Sequence, residues 1–247
     1  MGLVHPSSGL ERLARNPDKP GVAYQPHTYR ERVSYLSAAL LALALALAFS
    51  APALGATQTD NSQFAVTAGT LAFATAPDAP NLPGLTLNGQ AQTLLGTMNN
   101  FSVDDSSGAA AGWNVTVNGD TGGGKSAVFA QYCPIASCGG GHTGPGYVGS
   151  GFTLGANSLT ISSTGAGFSA LNGTTGTAPT HACGAGCFVD AAAPVKVISA
   201  ASGAGMGTYQ ATYAASNLSF SAPSTIKALQ TSEVYRIDLL WTLSSGP

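Results

Sequence analysis

The sequence predicts an all-β fold: a β-sandwich or barrel of short antiparallel strands, with a loop elaboration rich in Gly and Cys. Short apolar alternations recur along the chain and are separated by Gly, Asn and Pro. After residue 56, no window of about eleven residues or more has the 3.6-residue period of an amphipathic helix. Charged residues are only 8% of the chain, so a folded surface must consist largely of small polar residues.

Two strands are predicted most clearly. In residues 113–118, Trp113, Val115 and Val117 share one face and polar residues share the other. In residues 235–243, one face of a single strand carries Tyr235, Ile237, Leu239, Trp241 and Leu243. Shorter alternations predict further strands at residues 64–66, 71–73, 85–87, 101–103, 152–154, 159–161, 195–198, 209–213 and 218–220.

Residues 1–56 are predicted to be an extended signal peptide that is removed. The apolar run at residues 36–49 follows Arg30 and Arg32, and small residues follow it. The run is shorter than the roughly 20 residues that a membrane-spanning helix needs, so an uncleaved anchor is the weaker alternative. Residues 57–247 are then one secreted β domain with no membrane attachment, and residues 128–189 form a loop-rich insertion in it.

The charge of residues 57–247 excludes some classes of partner. Four basic and eight acidic side chains give a net charge of −4 with His neutral. Without a basic field, nucleic acid and anionic membranes are poor partners. Residues 119–126 match the phosphate-binding pattern G-x-x-x-x-G-K-S, yet the sequence that follows is too short and too β-like for the required helix. A Gly-rich turn is the better interpretation, and no nucleotide or other cofactor is expected.

The four cysteines predict two disulfides, because an even number of cysteines in an exported chain is typical of oxidised pairs. The spacing favours the local pairs Cys133–Cys138 and Cys183–Cys187, since Pro or Gly residues bend each short loop. Pairing between the two loops stays open as the main alternative. Zinc held by the cysteines with His142 or His181 is a further one, although the spacing is not typical of a zinc site.

Candidate catalytic groups are sparse. His142 and His181 can be combined with Asp190 and a serine only by composition, since no nucleophile motif places them. Asp104 and Asp105 are better interpreted as part of a turn. The chain is therefore expected to be non-catalytic, with no catalytic residues and no metal site.

The two tryptophan segments resemble the paired motifs of WxL-domain proteins of bacterial surfaces. Trp113-Asn-Val115 resembles the first motif, with Val in place of the commoner Leu. The second motif is matched by Tyr235, Leu239, Trp241, Leu243 and Pro247, although Leu240 stands where Thr or Ser is usual. The resemblance covers most of residues 57–247, and the cysteine-bearing region 128–189 departs from it.

The resemblance implies a secreted protein of the cell surface or cell wall that associates non-covalently with peptidoglycan or with partner surface proteins. Two alternatives come from other classes: a structural subunit of an extracellular array or fibre, and a secreted enzyme that uses the Gly, Cys and His loops. Because Trp113 and Trp241 lie on apolar strand faces, both are expected to be mostly buried in the core.

Overall fold

The computed structural model describes residues 58–138 and 142–247, so the predicted signal peptide lies outside the described residues. Residues Phe64–Pro247 form one compact unit. Apart from the 3₁₀ turn Gly122–Gly124, its regular elements within the described ranges are all strands, which confirms the all-β class. None of the described helices is long and apolar enough to cross a bilayer. The strands are β1 Leu71–Thr75, β2 Gln92–Gly96, β3 Phe101–Asp105, β4 Trp113–Gly119, β5 Ala130–Cys133, β6 Ser137–Cys138, β7 His142–Thr143, β8 Gly146–Tyr147, β9 Leu159–Ile161, β10 Gly167–Leu171, β11 Thr180–His181, β12 Cys187–Phe188, β13 Val195–Ala200, β14 Gly207–Thr212, β15 Leu218–Ala222, β16 Val234–Arg236 and β17 Leu239–Ser245.

Three four-stranded sheets form the body of the domain. The first has the order β1-β3-β14-β10, the second β11-β13-β4-β17 and the third β12-β9-β15-β2. A three-stranded sheet, β16-β5-β8, and the pair β6-β7 complete the described strands. Neighbouring strands in all of them run antiparallel. The layered arrangement is consistent with the predicted sandwich.

One hydrophobic core joins the three large sheets. Each sheet turns alternate side chains inward, as the period of two requires. Strand β9 belongs to the region 128–189, so part of that region contributes to the core as well as to surface loops. The largest fully buried side chains are Phe101 and Val103 of the first sheet, Trp113, Val115, Val117, Val197 and Ile198 of the second, Leu159, Ile161 and Leu218 of the third, and Met98 and Val189 beside them.

Three of the shorter predicted strands are wrong. Residues 64–66 and 85–87 pair with no described strand, and residues 152–154 make only an isolated bridge between Thr153 and Ala130. Phe64 and Val66 are 90% and 82% exposed. An alternation of three residues fits a pleated surface without specifying any partner strand, so the pattern alone could not decide these segments.

The predicted terminal strand, residues 235–243, is divided between two sheets. β16 pairs with β5, whereas β17 pairs with β4. At the change of partner, the Asp238 N–H donates to the Ser126 carbonyl (3.0 Å) and the Asp238 carbonyl accepts from the Asp120 N–H (2.8 Å). The alternation survives the change of partner: the predicted apolar face is partly buried throughout, while Arg236, Leu240, Thr242 and Ser244 are exposed.

Candidate functional site

The two tryptophans lie in adjacent strands but in different surroundings. Trp113 of β4 has no exposed surface, and its indole Nε1 donates to the Gly205 carbonyl at 3.0 Å. Trp241 of β17 is partly buried and packs against Phe101 with ring centroids 5.6 Å apart. Trp241 also lines an open cleft, which Trp113 does not reach. The first motif is therefore part of the core, and the second reaches the surface.

The cleft has a volume of about 1100 Å³. We call it the C-terminal cleft. One wall is the irregular segment at residues 77–85, which contains Pro77, Pro80 and Pro83. The floor and the opposite wall are largely apolar and aromatic, and come from the third sheet, from β16 and β17, and from Phe129 just before β5. They include Leu94, Phe129, Leu159, Leu218, Phe220, Tyr235, Leu239 and Trp241.

Charged and phenolic side chains organise one end of the C-terminal cleft. The Arg236 guanidinium forms an ion pair with Asp238 (2.7 Å) and lies over the Tyr132 ring, 4.5 Å from its centroid. The Tyr147 hydroxyl donates to the other Asp238 oxygen at 2.6 Å. Tyr147 and Tyr132 are in edge contact, 5.0 Å apart. These contacts fix the orientation of Arg236, whose side chain is 46% exposed.

The same cluster shifts the acid–base equilibria of its members. Burial alone raises the pKa of Asp238, but hydrogen bonds from Tyr147 and Arg236 outweigh burial and bring the pKa below its ordinary value. Burial and the hydrogen bond to Asp238 raise the pKa of Tyr147. At neutral pH Asp238 is therefore a carboxylate and Tyr147 a neutral phenol. Together they make one end of the C-terminal cleft polar, and neither is poised to exchange a proton with a ligand.

The structure separates the seven predicted motif residues. Tyr235, Leu239 and Trp241 come together along the cleft, where the Tyr235 hydroxyl donates to the Lys227 carbonyl at 3.0 Å. Val115 is fully buried in β4, directly opposite Leu243 of β17. Pro247 is exposed beyond the last strand. Three motif residues thus reach a possible binding surface, and the others do not line the cleft.

Sequence reasoning missed the other half of the site. From the sequence, the prolines of residues 77–85 indicate only breaks between strands, although this segment forms a wall of the cleft. Tyr132 and Tyr147 gave no signal either, because Asp238 and Arg236 lie about a hundred residues further along the chain. A period-two pattern identifies the face of a strand, but not the distant loop that covers that face.

The cysteines form two local disulfides, Cys133–Cys138 and Cys183–Cys187, with Cα atoms 5.8 Å and 5.1 Å apart. The alternative pairing between the two loops is therefore wrong. The cysteine thiolates that the zinc alternative requires are consumed in these bonds. Within residues 58–138 and 142–247, no group of three or more His, Cys, Asp or Glu is placed to hold a metal ion.

The phosphate-binding pattern at residues 119–126 lacks the structure that its chemistry needs. After β4, residues 119–126 form the 3₁₀ turn Gly122–Gly124, and the next regular element is a strand. The Lys125 ammonium is paired within this loop with Asp120 at 2.6 Å. This loop therefore presents no helix N-terminus to a phosphate.

His181 and Asp190 have separate structural roles. His181 stacks on Phe168 (4.5 Å) and meets Tyr213 edge-on (5.1 Å), and its Nε2 lies 3.2 Å from the Gly167 carbonyl. Burial lowers the pKa of His181, so the ring is neutral at pH 7. Asp190 is fully buried and accepts from the Ser158 N–H at 2.6 Å. No hydrogen bond joins these two side chains in the described part of the chain.

Comparison with protein-family models, with curated proteins and with solved structures found no match to this chain. A function must therefore be argued from the fold, the disulfides and the C-terminal cleft. Of these, the cleft is the feature with the size and mixed polarity of a ligand site.

Proposed function

We propose that this protein is an exported, non-catalytic surface protein of the WxL type, which binds the bacterial cell wall non-covalently through its C-terminal cleft. The observation that carries the proposal is the position of Tyr235, Leu239 and Trp241. These residues of the second WxL-like motif line an open cleft, although the same strand pattern would allow all of them to be buried. The glycan of peptidoglycan is the preferred ligand, and a partner surface protein is the alternative ligand under the same proposal.

The shape and chemistry of the cleft suit a glycan chain. Sugar rings present an apolar face of C–H groups and a rim of hydroxyls. Trp241 and Tyr235 supply aromatic surface, and in the described residues the Trp241 indole N–H has no hydrogen-bond acceptor. Arg236 is held in place at the polar end by Asp238. An apolar floor with a few fixed polar groups is the usual composition of a small-molecule site.

The charges around the cleft favour an uncharged or weakly charged ligand. Two basic side chains, Lys227 and Arg236, stand against three acidic ones, Asp78, Glu233 and Asp238. With Arg236 already paired to a carboxylate, no excess positive potential remains to attract a polyanion. A neutral polysaccharide needs no such potential, because stacking and hydrogen bonding supply its binding energy.

The disulfides support the export step of the proposal. Two disulfides fit a protein that folds in an oxidising compartment, outside the cytoplasm. No free cysteine remains in the chain. Attachment to the wall itself is the part of the proposal that needs a binding experiment.

The test is co-sedimentation of the purified protein with purified cell walls. We expect the protein to pellet with the walls, and we expect Trp241→Leu to weaken pelleting at least tenfold while near-UV circular dichroism stays native. Leu240→Ala is the matched control, because Leu240 is the neighbouring residue on the exposed face of the same strand. Wild-type protein that stays in the supernatant would refute wall binding, and unchanged pelleting of Trp241→Leu would refute the cleft as the site. Pelleting only with walls that still carry their proteins would favour a partner surface protein.

A further inference from the structure

The chain reaches β1 through an exposed arm, residues 64–68. The last contacts with the first sheet are the bonds from Gly69 N–H to the Ser106 carbonyl (2.9 Å) and from Ser106 N–H to the Thr70 carbonyl (3.1 Å). On the N-terminal side of Gly69, the arm pairs with no described strand. It therefore precedes β1 in the chain without a partner strand of its own.

The arm has the sequence of a strand and lacks a partner. Phe64, Val66 and Ala68 fall on one face of an extended chain, with Ala65 and Thr67 on the other. Phe64 is 90% exposed and Val66 is 82% exposed, the two highest values among the large exposed apolar side chains of the described residues. Adjacent exposed apolar side chains of this size are unusual on a monomer and mark an interaction surface.

The third sheet offers an open edge that could accept this arm. The other edge strands of the large sheets each lie beside a strand of another sheet: β1 beside β17, β10 beside β11, and β12 beside the inner strand β13. Strand β2 is the exception: apart from β15, no described strand makes comparable contact with it. Residues 82–86 lie nearby, with Thr86 accepting from the Gln92 side chain, but in the described residues no backbone hydrogen bond joins β2 to a segment other than β15. The backbone groups of its outer edge can therefore take up another strand.

The β2 edge also lacks the usual protection against pairing. Its sequence, Gln92-Thr-Leu-Leu-Gly96, contains neither a charged residue nor a proline. Leu95 points outward and is 50% exposed, so it offers an apolar contact to an incoming strand. The arm is likewise uncharged, and no like-charge repulsion opposes the pairing. Both elements are about five residues long, so a full ladder can form between them.

We propose that the arm of one copy of this protein adds to the β2 edge of the third sheet in a second copy, with Phe64 and Val66 packing on Leu95. The donor and acceptor surfaces differ, so each copy keeps one free arm and one free edge. Such a head-to-tail contact propagates into a chain of subunits unless it closes into a ring. The proposal does not rest on the proposed function, because the arm would pair with the outer edge of β2 and contact Leu95, whereas the cleft is lined by Leu94 on the opposite face of that strand.

Sedimentation-velocity centrifugation of the purified protein over a wide concentration range tests this inference. We expect the average mass to rise with concentration. Phe64→Ser combined with Val66→Ser should abolish the rise, and so should Leu95→Lys. Both changes are at exposed positions, so folding is unaffected. Leu240→Lys is the matched control, at an apolar side chain 45% exposed on β17, and it should self-associate like the wild type.

Mixing the two defective variants gives the decisive result. The arm variant keeps an intact edge and the Leu95→Lys variant keeps an intact arm, so the mixture should form one-to-one dimers and nothing larger. Wild-type protein that remains monomeric at every concentration overturns the inference. Self-association that survives either variant, or a mixture that stays monomeric, also overturns it.

Discussion

Trp113 and Trp241 lie on neighbouring strands of one sheet, yet their surroundings differ. Trp113 is fully buried and its indole N–H is bonded to the Gly205 carbonyl. Trp241 lies opposite Val117 in the same ladder, packs on Phe101 and lines the C-terminal cleft. The comparison shows that two similar motifs in one sheet can have different environments, one enclosed in the core and one open to a cleft.

The difference originates in the segments that surround each strand. Gly112 precedes Trp113 with φ of +75°, and Gly205 faces the indole with φ of +74°. A Cβ atom on Gly205 would lie 2.6 Å from Trp113 Nε1, so only glycine permits this close packing. The open side of Trp241 meets the proline-containing segment 77–85 across the cleft instead. The first tryptophan is enclosed by backbone, whereas the second remains accessible.

The largest expected effect is that of Trp113→Ala. Removing a fully buried indole leaves a cavity and an unpaired Gly205 carbonyl, so the free energy of unfolding should fall by about 3–5 kcal/mol. Denaturant unfolding followed by circular dichroism measures this change. If Trp113→Ala lowered the free energy of unfolding less than Trp241→Ala does, Trp113 would not be the tryptophan on which the core depends.

The next largest loss of stability is expected for Gly205→Ala, because the added Cβ would crowd the Trp113 indole. The positive φ costs about 1–2 kcal/mol for a residue with a side chain, and the contact with Trp113 adds to that cost. Gly203→Ala is the matched control: its φ is +80°, but a Cβ there has no atom within 4 Å. The difference between the two variants in denaturant midpoint isolates the contacts of the added methyl group with Trp113 and Ala200, each 2.6 Å away. Equal midpoints would show that these neighbours can shift to accommodate it.

Trp241→Ala should destabilise the fold less than Trp113→Ala does, but it should strongly weaken binding to the cell wall. Because the ring is only partly buried, we expect a loss of about 2 kcal/mol in the free energy of unfolding. The largely buried position that the strand pattern predicts for this ring would instead imply a loss of about 3–5 kcal/mol. Thermal unfolding and wall co-sedimentation measured on the same sample separate the two effects. If binding persists in folded Trp241→Ala protein, the cleft has no role in it.

The smallest effect concerns Asp238, where the chain enters β17. Its folded pKa is below the ordinary value of 3.8, so the unfolded state binds more protons in acid. The stabilisation is therefore present above pH 3.8 and is lost as the pH falls through the folded pKa. Asp238→Asn should cost about 0.5–1 kcal/mol at neutral pH, after allowance for solvent screening. Urea unfolding should show this difference shrinking as the pH falls below 3.8, and a constant difference would contradict the cause assigned here.

Sequence reasoning predicted the framework of the domain better than its site. The alternation in residues 113–118 and 235–243 is long enough to identify the apolar faces of β4 and β17. It could not show that the chain changes sheets at Asp238, because the same alternation continues on both sides. The cleft was beyond prediction, since its walls come from segments that are far apart in the chain.

The order of strands in the second sheet has a consequence for how the chain folds. Its three longest strands, β13, β4 and β17, pair side by side although they lie at residues 195–200, 113–119 and 239–245. Bringing them together closes long loops before any contact can compensate for the lost entropy. The two disulfides join residues only five and four positions apart, so they do little to shorten those loops. Refolding should therefore take on the order of milliseconds to seconds, during which unpaired strands are exposed to aggregation.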